Sequence, residues 1–251
     1  MELVADLHTH SVASGHAYST VLELAREAAA KGLKMLALTD HGPKMPGGPH
    51  LYHFYNITVI PEKIEGVEII RGVEANIIDC HGNIDLPDDY LIRLDWVLAG
   101  FHMFCSPEGT REENTDTLIK VIENPRVDGI VHPGNPDYPI DALRVIKAVQ
   151  ANRKVIEINN SSVRGGVRAG SKENCLRIAR LAKEYGVQVM LNSDAHISFD
   201  VGAFEQAVEI AEQVGIKEEN VFNASLGKIR KFMAQRNQER REIITKIKKA
   251  V

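Results

Sequence analysis

Asp6-Leu7-His8-Thr9-His10 stands at the end of the first apolar run of the chain, Leu3 to Leu7. On a strand, successive side chains alternate faces, so Asp6, His8 and His10 are expected on one face and Leu7 and Thr9 on the other. Two imidazoles at i and i+2 can then share one metal ion. A single His-x-His is also what a polar strand end looks like as it leaves a core. Here the pattern repeats. Met35 to Thr39 ends in Asp40-His41-Gly42, Val67 to Val73 in Glu74-Ala75-Asn76, and Trp96 to Gly100 leads to His102. Gly129 to Val131 ends in His132-Pro133-Gly134, Val155 to Ile158 in Asn159-Asn160, and Val187 to Leu191 in Asn192-Ser193-Asp194-Ala195-His196. Seven strand ends carry polar residues, and six of them carry groups that bind metals.

The segments between these runs read as helices. Thr20 and Glu23 have capping-box spacing and predict a helix from there to about Lys31, closed by Gly32. Asn114 to Glu123 is helical in pattern, Pro139 sets the start of a helix over Ile140 to Ala151, and Ser171 caps one that runs to about Tyr185 before Gly186. A helix over roughly Val201 to Val214 follows, and Ser225 to Val251 forms a charged, solvated C-terminal helix. Strand and helix alternate about seven times, which predicts an α/β fold with a parallel sheet. Polar residues confined to the C-terminal strand ends make it a TIM-like barrel with its site at that face, and seven units rather than the usual eight make it a distorted (βα)7 barrel. Residues 1–251 are read as one domain.

Composition sets the boundaries. Hydrophobic residues at 44% and charged residues at 25% suit a globular protein with a large core. A net charge of -4 gives no whole-molecule attraction to nucleic acid or an anionic membrane, so an anionic substrate needs a local site. Cys80, Cys105 and Cys175 form neither a CxxC pair nor a disulfide framework, which points to a reducing cytosol. With no leader pattern and no apolar run of membrane-span length, a cytoplasmic location without membrane contact is expected.

The motifs His8-Thr9-His10, Thr39-Asp40-His41, Glu74, His102, His132 and Asp194-Ala195-His196, in this order, resemble the polymerase and histidinol phosphatase (PHP) superfamily. His16, Asn159-Asn160-Ser161-Ser162 and Arg168-Ala169-Gly170-Ser171 are similar to its bacterial stand-alone phosphatase branch with three metals. The resemblance implies that His8, His10, Glu74 and Asp194 hold a first divalent ion, Glu74, His102 and His132 a second, and His16, His41 and His196 a third, with zinc expected first and manganese or iron as alternatives. Glu74, Asp194 and His196 would carry the catalysis. Ligand sets of this size leave positions open for water and substrate, as catalytic sites do.

Three divalent ions outweigh the carboxylates Glu74 and Asp194 by about four charges, which suits a phosphate monoester dianion. A metal-bridging hydroxide is the expected nucleophile, attacking phosphorus in line. Arg164 and Arg168 both follow the sixth strand, where an Arg can bind phosphate oxygens with its fork, and the resemblance to the family implies Arg168 for that role. Asp6 and Asp40 are expected to orient ligand imidazoles. His50 and His53 are read as rim residues, His81 lies outside the site, and specificity is expected in the Lys44 to Tyr55 rim and the Val163 to Gly170 loop. The expected activity is thus metal-dependent hydrolysis of a small phosphate monoester. The alternatives are a phosphodiesterase or nuclease, disfavoured by the acidic charge balance, and an amidohydrolase-like enzyme, for which no lysine stands at a strand end. A non-catalytic domain should have lost ligands. Oligomeric state has no signature in the sequence.

Overall fold

A computed structural model of the protein describes residues 1–165 and 168–250, without the side chain of Ala250; Gly166 and Val167 of the expected rim loop lie outside the described residues. The strands are β1 (Ala5–Thr9), β2 (Met35–Leu38), β3 (Lys63–Ile64), β4 (Val67–Asn76), β5 (Trp96–Gly100), β6 (Gly129–Ile130), β7 (Val155–Asn159) and β8 (Val189–Asn192). Seven of them run parallel in the order β1-β2-β4-β5-β6-β7-β8, and β3 pairs antiparallel with β4 at the edge of that path. The sheet curls into a distorted (βα)7 barrel. Its closure from β8 to β1 is sparse: a single parallel bridge joins Thr9 to Ala195, and the Asn192 side chain accepts from the Leu7 N–H at 3.1 Å where a ladder bond would stand.

The helices are α1 (Val21–Ala30), α2 (Leu51–Asn56), α3 (Asp88–Leu91), α4 (Arg111–Glu123), α5 (Ala142–Ala151), α6 (Asn160–Arg164), α7 (Ser171–Tyr185), α8 (Glu205–Gln213) and α9 (Leu226–Ala250). Thr20 closes its capping box with Glu23, as its spacing predicts. Other boundaries move for local chemical reasons. Helix α5 starts two residues after Ile140, because the Asp141 carboxylate accepts from the Leu143 and Arg144 N–H groups. Ser171 opens α7 rather than capping it: Gly170 is the N-cap, and the Ser171 hydroxyl donates back to the Arg168 carbonyl at 2.7 Å. Among the described residues no helix is long and apolar enough to cross a membrane.

The largest departure from expectation is α9, which is not simply solvated. Ile229, Met233, Arg236, Arg240 and Ile244 recur at helical spacing on one face. Ile229 and Met233 join Leu7, Trp96 and Met190 in the apolar core, and Arg240 is 1% exposed. Both arginines reach Asp128, fully buried before β6, with Arg236 Nε 3.2 Å from one oxygen and Arg240 paired to the other. Arg240 also donates to the carbonyls of Leu94 and Arg126. The helix therefore plugs the N-terminal end of the barrel. Removing one partner from a buried ion pair strands the other, at a cost of about 3–5 kcal/mol. Asp128→Ala is thus expected to lower the melting temperature by roughly 10 °C while leaving the opposite face intact; calorimetry that finds no change would show that α9 is dispensable.

Candidate metal centre

The centre is made where the strand ends converge. A register slip in β1 between Asp6 and Thr9 breaks the expected alternation. Ala5 and Leu7 fill the interior, while Asp6 accepts from Ser193, through its N–H and its hydroxyl, and from the Gly202 N–H. Asp6 therefore braces the loop that carries Asp194 and orients no imidazole, contrary to the sequence expectation. After the slip His8 turns inward with His10, and both are fully buried. Burial pushes the Asp6 carboxyl up to about 6, against the hydrogen bonds it accepts.

Glu74, at the middle of the cluster, is fully buried. One carboxylate oxygen lies 2.9 Å from His102 Nε2 and 2.6 Å from His132 Nε2. The other lies 2.8 Å from His41 Nδ1 and 3.3 Å from the Nε2 atoms of both His8 and His10. Asp194 Oδ1 is 3.5 Å from His8 Nε2, 3.3 Å from His10 Nε2 and 3.5 Å from His196 Nδ1. His16 stands at the exposed mouth, its ring stacked 4.9 Å from both His41 and His196. All nine expected ligands thus stand in one cluster, of which His16, His41, His102 and His196 line the cavity above it. His10–His41–His196, His8–His10–Asp194 and His41–Glu74–His102 each bring three ligand atoms within 4.8 Å of one another. His132 and His16 stand outside these triplets.

Two of the expected ligands sit on strained backbone: His132 has φ 33° and Asp194 φ 57°. The strain at His132 is matched by a missing side chain beneath it. A β-carbon on Gly100, at the inward end of β5, would fall 2.6 Å from His132 Cε1. Gly100→Ala should therefore push the ring off Glu74 and lower activity roughly tenfold to a hundredfold, with little change in melting temperature. Unaltered kinetics would mean that the ring has room to move.

The electrostatics suit cations. Burial opposes charge on Glu74, yet His102, His41 and His8 around it hold the carboxyl well below its usual range. Asp194 is likewise held well below, with His8 and Arg168 overcoming its burial. Burial lowers His10, His102 and His132, and lowers His16 to about 4. His8 is raised instead, because Glu157, Glu74 and Asp194 outweigh its burial. Ionised carboxylates among mostly neutral imidazoles are what metal coordination requires. Moreover, His8 Nε2, His10 Nε2, His41 Nδ1, Glu74 Oε2 and Asp194 Oδ1 are buried, face one another and have no hydrogen-bond partner. Orphaned buried polar atoms are rare and costly, and divalent cations fit this set.

The support around the ligands contains residues that motif reading passed over. Glu157, on β7, accepts from His8 Nδ1 at 2.8 Å, from the His132 N–H at 2.8 Å and from the Asn159 and Asn192 side-chain amides at 2.9 Å each. Its signal was in view: a carboxylate in the middle of the apolar run Val155 to Ile158. Within the cluster Asp40 reaches an imidazole through Ser14, whose hydroxyl donates to Asp40 at 2.7 Å and stands 3.1 Å from His10 Nδ1. Arg168 donates through Nη1 to Asp194 Oδ2 at 2.8 Å and to Ser162 at 3.0 Å, and lines the mouth. Arg164 faces outward in an exposed ion pair with Asp200. His50 caps α2, His53 is half-buried 3.6 Å from Asp40, and His81 is exposed on a distant loop.

The mouth has a volume of about 740 Å³. Met45 and Pro46 come from the expected rim, but Phe101, Met103, Phe104 and Glu108 after β5, and Asn135, Asp137 and Tyr138 after β6, also form its wall. Phe104 is 82% exposed.

The PHP domain family model matches residues 6–161. Over 240 residues the chain is 52% identical to a "Probable phosphatase" of Thermoanaerobacter sp. (strain X514), covering 95% of this chain and 98% of that one. A "Probable phosphatase" of Caldanaerobacter subterraneus subsp. tengcongensis is 54% identical over 237 residues, covering 94% and 93%. Among solved structures, a histidinol phosphate phosphatase of Lactococcus lactis subsp. lactis, crystallised with zinc, L-histidinol and phosphate, superposes with a TM-score of 0.62 at 17% identity, covering 85% of this chain and 94% of that one. At that identity the likeness is one of fold.

Proposed function

The chain belongs to the PHP domain family, and on that premise we propose that it is a metal-dependent phosphatase that hydrolyses small phosphate monoesters in the cavity just described. The observation that carries this reading is the ring of orphaned inward atoms around Glu74. His8, His10, Glu74 and Asp194 would hold a first ion, Glu74, His102 and His132 a second, and His16, His41 and His196 a third, with zinc first among the candidates and manganese or iron able to replace it. Ions bound there supply the Lewis acidity that ionises water near neutral pH and neutralises phosphoryl oxygens.

The protein's own groups then have separate tasks. Glu74 and Asp194 keep their charge, Glu74 presenting both oxygens and Asp194 its Oδ1 to the centre, and His196, half-buried on the cavity wall, joins them as a catalytic ligand. Arg168 spends Nη1 on Asp194 and Ser162, so the rest of its fork is available to a phosphoryl oxygen entering from the mouth. Met103 and Phe104 at the exposed rim offer apolar contact to the leaving group. Arg168 is the single Lys or Arg on the described wall, so the mouth lacks the basic track that a nucleic-acid strand would need.

The test is metal content with activity. Chelation is expected to abolish hydrolysis of an aryl phosphate, and zinc, manganese or iron to restore it at about three ions per chain. A bis-aryl phosphate should turn over at least about a hundredfold more slowly. Full activity in stripped protein would sink the reading, and faster turnover of the diester would move it to a phosphodiesterase.

A further inference from the structure

At the end of the barrel opposite the metal centre, α9 does not seal completely. Between its first half and the turns that lead into β7 and β8 lies a cleft of about 460 Å³. Phe222 and Phe232, 5.2 Å apart in an edge-to-face pair, give its floor two aromatic rings. Its charged lining is of one sign: Arg153, Lys154, Lys228 and Lys231, without a single carboxylate. In a chain whose formal net charge is -4, four basic residues around one apolar hollow are a local inversion of the average, although burial lowers Lys154 to about 7 and leaves the rim pair as its firmest charges.

The four differ in their commitments. Lys154 is buried and donates to the carbonyls of Asn124 and Val127, and Lys228 to Gln188 and to the carbonyls of Glu219 and Val221. The neighbouring carboxylates Glu219 and Glu239 stand outside the lining. Arg153 and Lys231 are exposed at the rim, and among the described residues neither has an ion-pair partner within 4.0 Å. An apolar floor with rim cations is complementary to a small molecule with a flat apolar body and an anionic head, and the volume falls in the range of small-molecule sites, roughly 300–1,000 Å³.

We propose that this cleft binds a small aromatic organic anion, with its ring on Phe222 and Phe232 and its carboxylate or phosphoryl head between Arg153 and Lys231. The site lies apart from the catalytic cavity and does not depend on the phosphatase reading. It is tested on the full-length, metal-loaded protein with 8-anilinonaphthalene-1-sulfonate, a flat aromatic anion, followed by fluorescence. The expected result is one saturable site whose affinity falls at least about tenfold in the double variant Arg153→Glu, Lys231→Glu, while circular dichroism and aryl phosphate turnover stay at wild-type values. The neutral dye N-phenyl-1-naphthylamine should lose no affinity in that variant. Displacement by 1-naphthoate or by 1-naphthylphosphonate supports the site and ranks the two heads. Equal binding of the sulfonate dye by wild type and double variant, or displacement by neither competitor, overturns it.

Discussion

Glu74→Gln is expected to lower phosphomonoester turnover by at least about a thousandfold, roughly 4 kcal/mol of transition-state stabilisation, and to reduce bound metal at the same time. The substitution keeps the size of the side chain and removes its charge. Five imidazole nitrogens stand within 3.3 Å of the two carboxylate oxygens, so no other residue in the centre touches as many ligands. A glutamine would present an NH₂ group to imidazole nitrogens on one side, where the carboxylate presents a negatively charged oxygen on both. Elemental analysis and kcat on the same preparation check it: turnover within tenfold of wild type would mean that Glu74 is not the bridge between the two halves of the site.

Glu157→Gln is expected to weaken metal affinity and activity about tenfold to a hundredfold, the usual effect of losing a carboxylate behind a ligand imidazole. Glu157 fixes which nitrogen of His8 faces inward, by accepting a hydrogen bond from its Nδ1–H at 2.8 Å, and it anchors the strained His132 backbone with its other oxygen. One change therefore disturbs ligands on two sides of the centre. The readout that separates positioning from folding is the dissociation constant of the metal, measured by competition with a chelator, beside the melting temperature. Glutamine should loosen the metal more than the fold, whereas Glu157→Ala, which leaves four buried donors facing a hole, should lose several kcal/mol of stability as well. Equal metal affinity in wild type and Glu157→Gln would reduce Glu157 to a packing residue.

Much of this centre was legible in the sequence because strand ends are simple to read. An apolar run that stops at His41, Glu74 or His132 places that residue at the C-terminal rim of a barrel whatever the details of the rest. What could not be read is what depends on registration across the sheet. The slip in β1 that sends Asp6 outward and His8 inward leaves no mark in the alternation of Leu3 to His10. The partners of Asp40 and Glu157 lie up to 149 residues away in the chain, so no local spacing reports them. Helix α9 is a different case. Its charge hid an apolar and arginine stripe with ordinary helical spacing, and reading the stripe before the composition would have placed it against the barrel. The walls contributed by the loops after β5, with Phe104 and Glu108, and after β6, with Asp137 and Tyr138, went unanticipated because loop lengths do not say which loop folds over the site.

The sparse joint between β8 and β1 makes the barrel a cylinder with a seam. His8 and His10 stand on one lip of that seam, Asp194 and His196 on the other, and the backbone crosses between them through the Thr9–Ala195 bridge, with the bonds His10 N–H to Ala195 O at 2.9 Å and Asp194 N–H to His8 O at 3.0 Å beside it. On the proposed ligand set, an ion gripped from both lips would be a rivet as well as a reagent. Its affinity would add to the cohesion of the cylinder by mass action, so the same atoms proposed to serve the reaction would tie the first strand of the chain to the last.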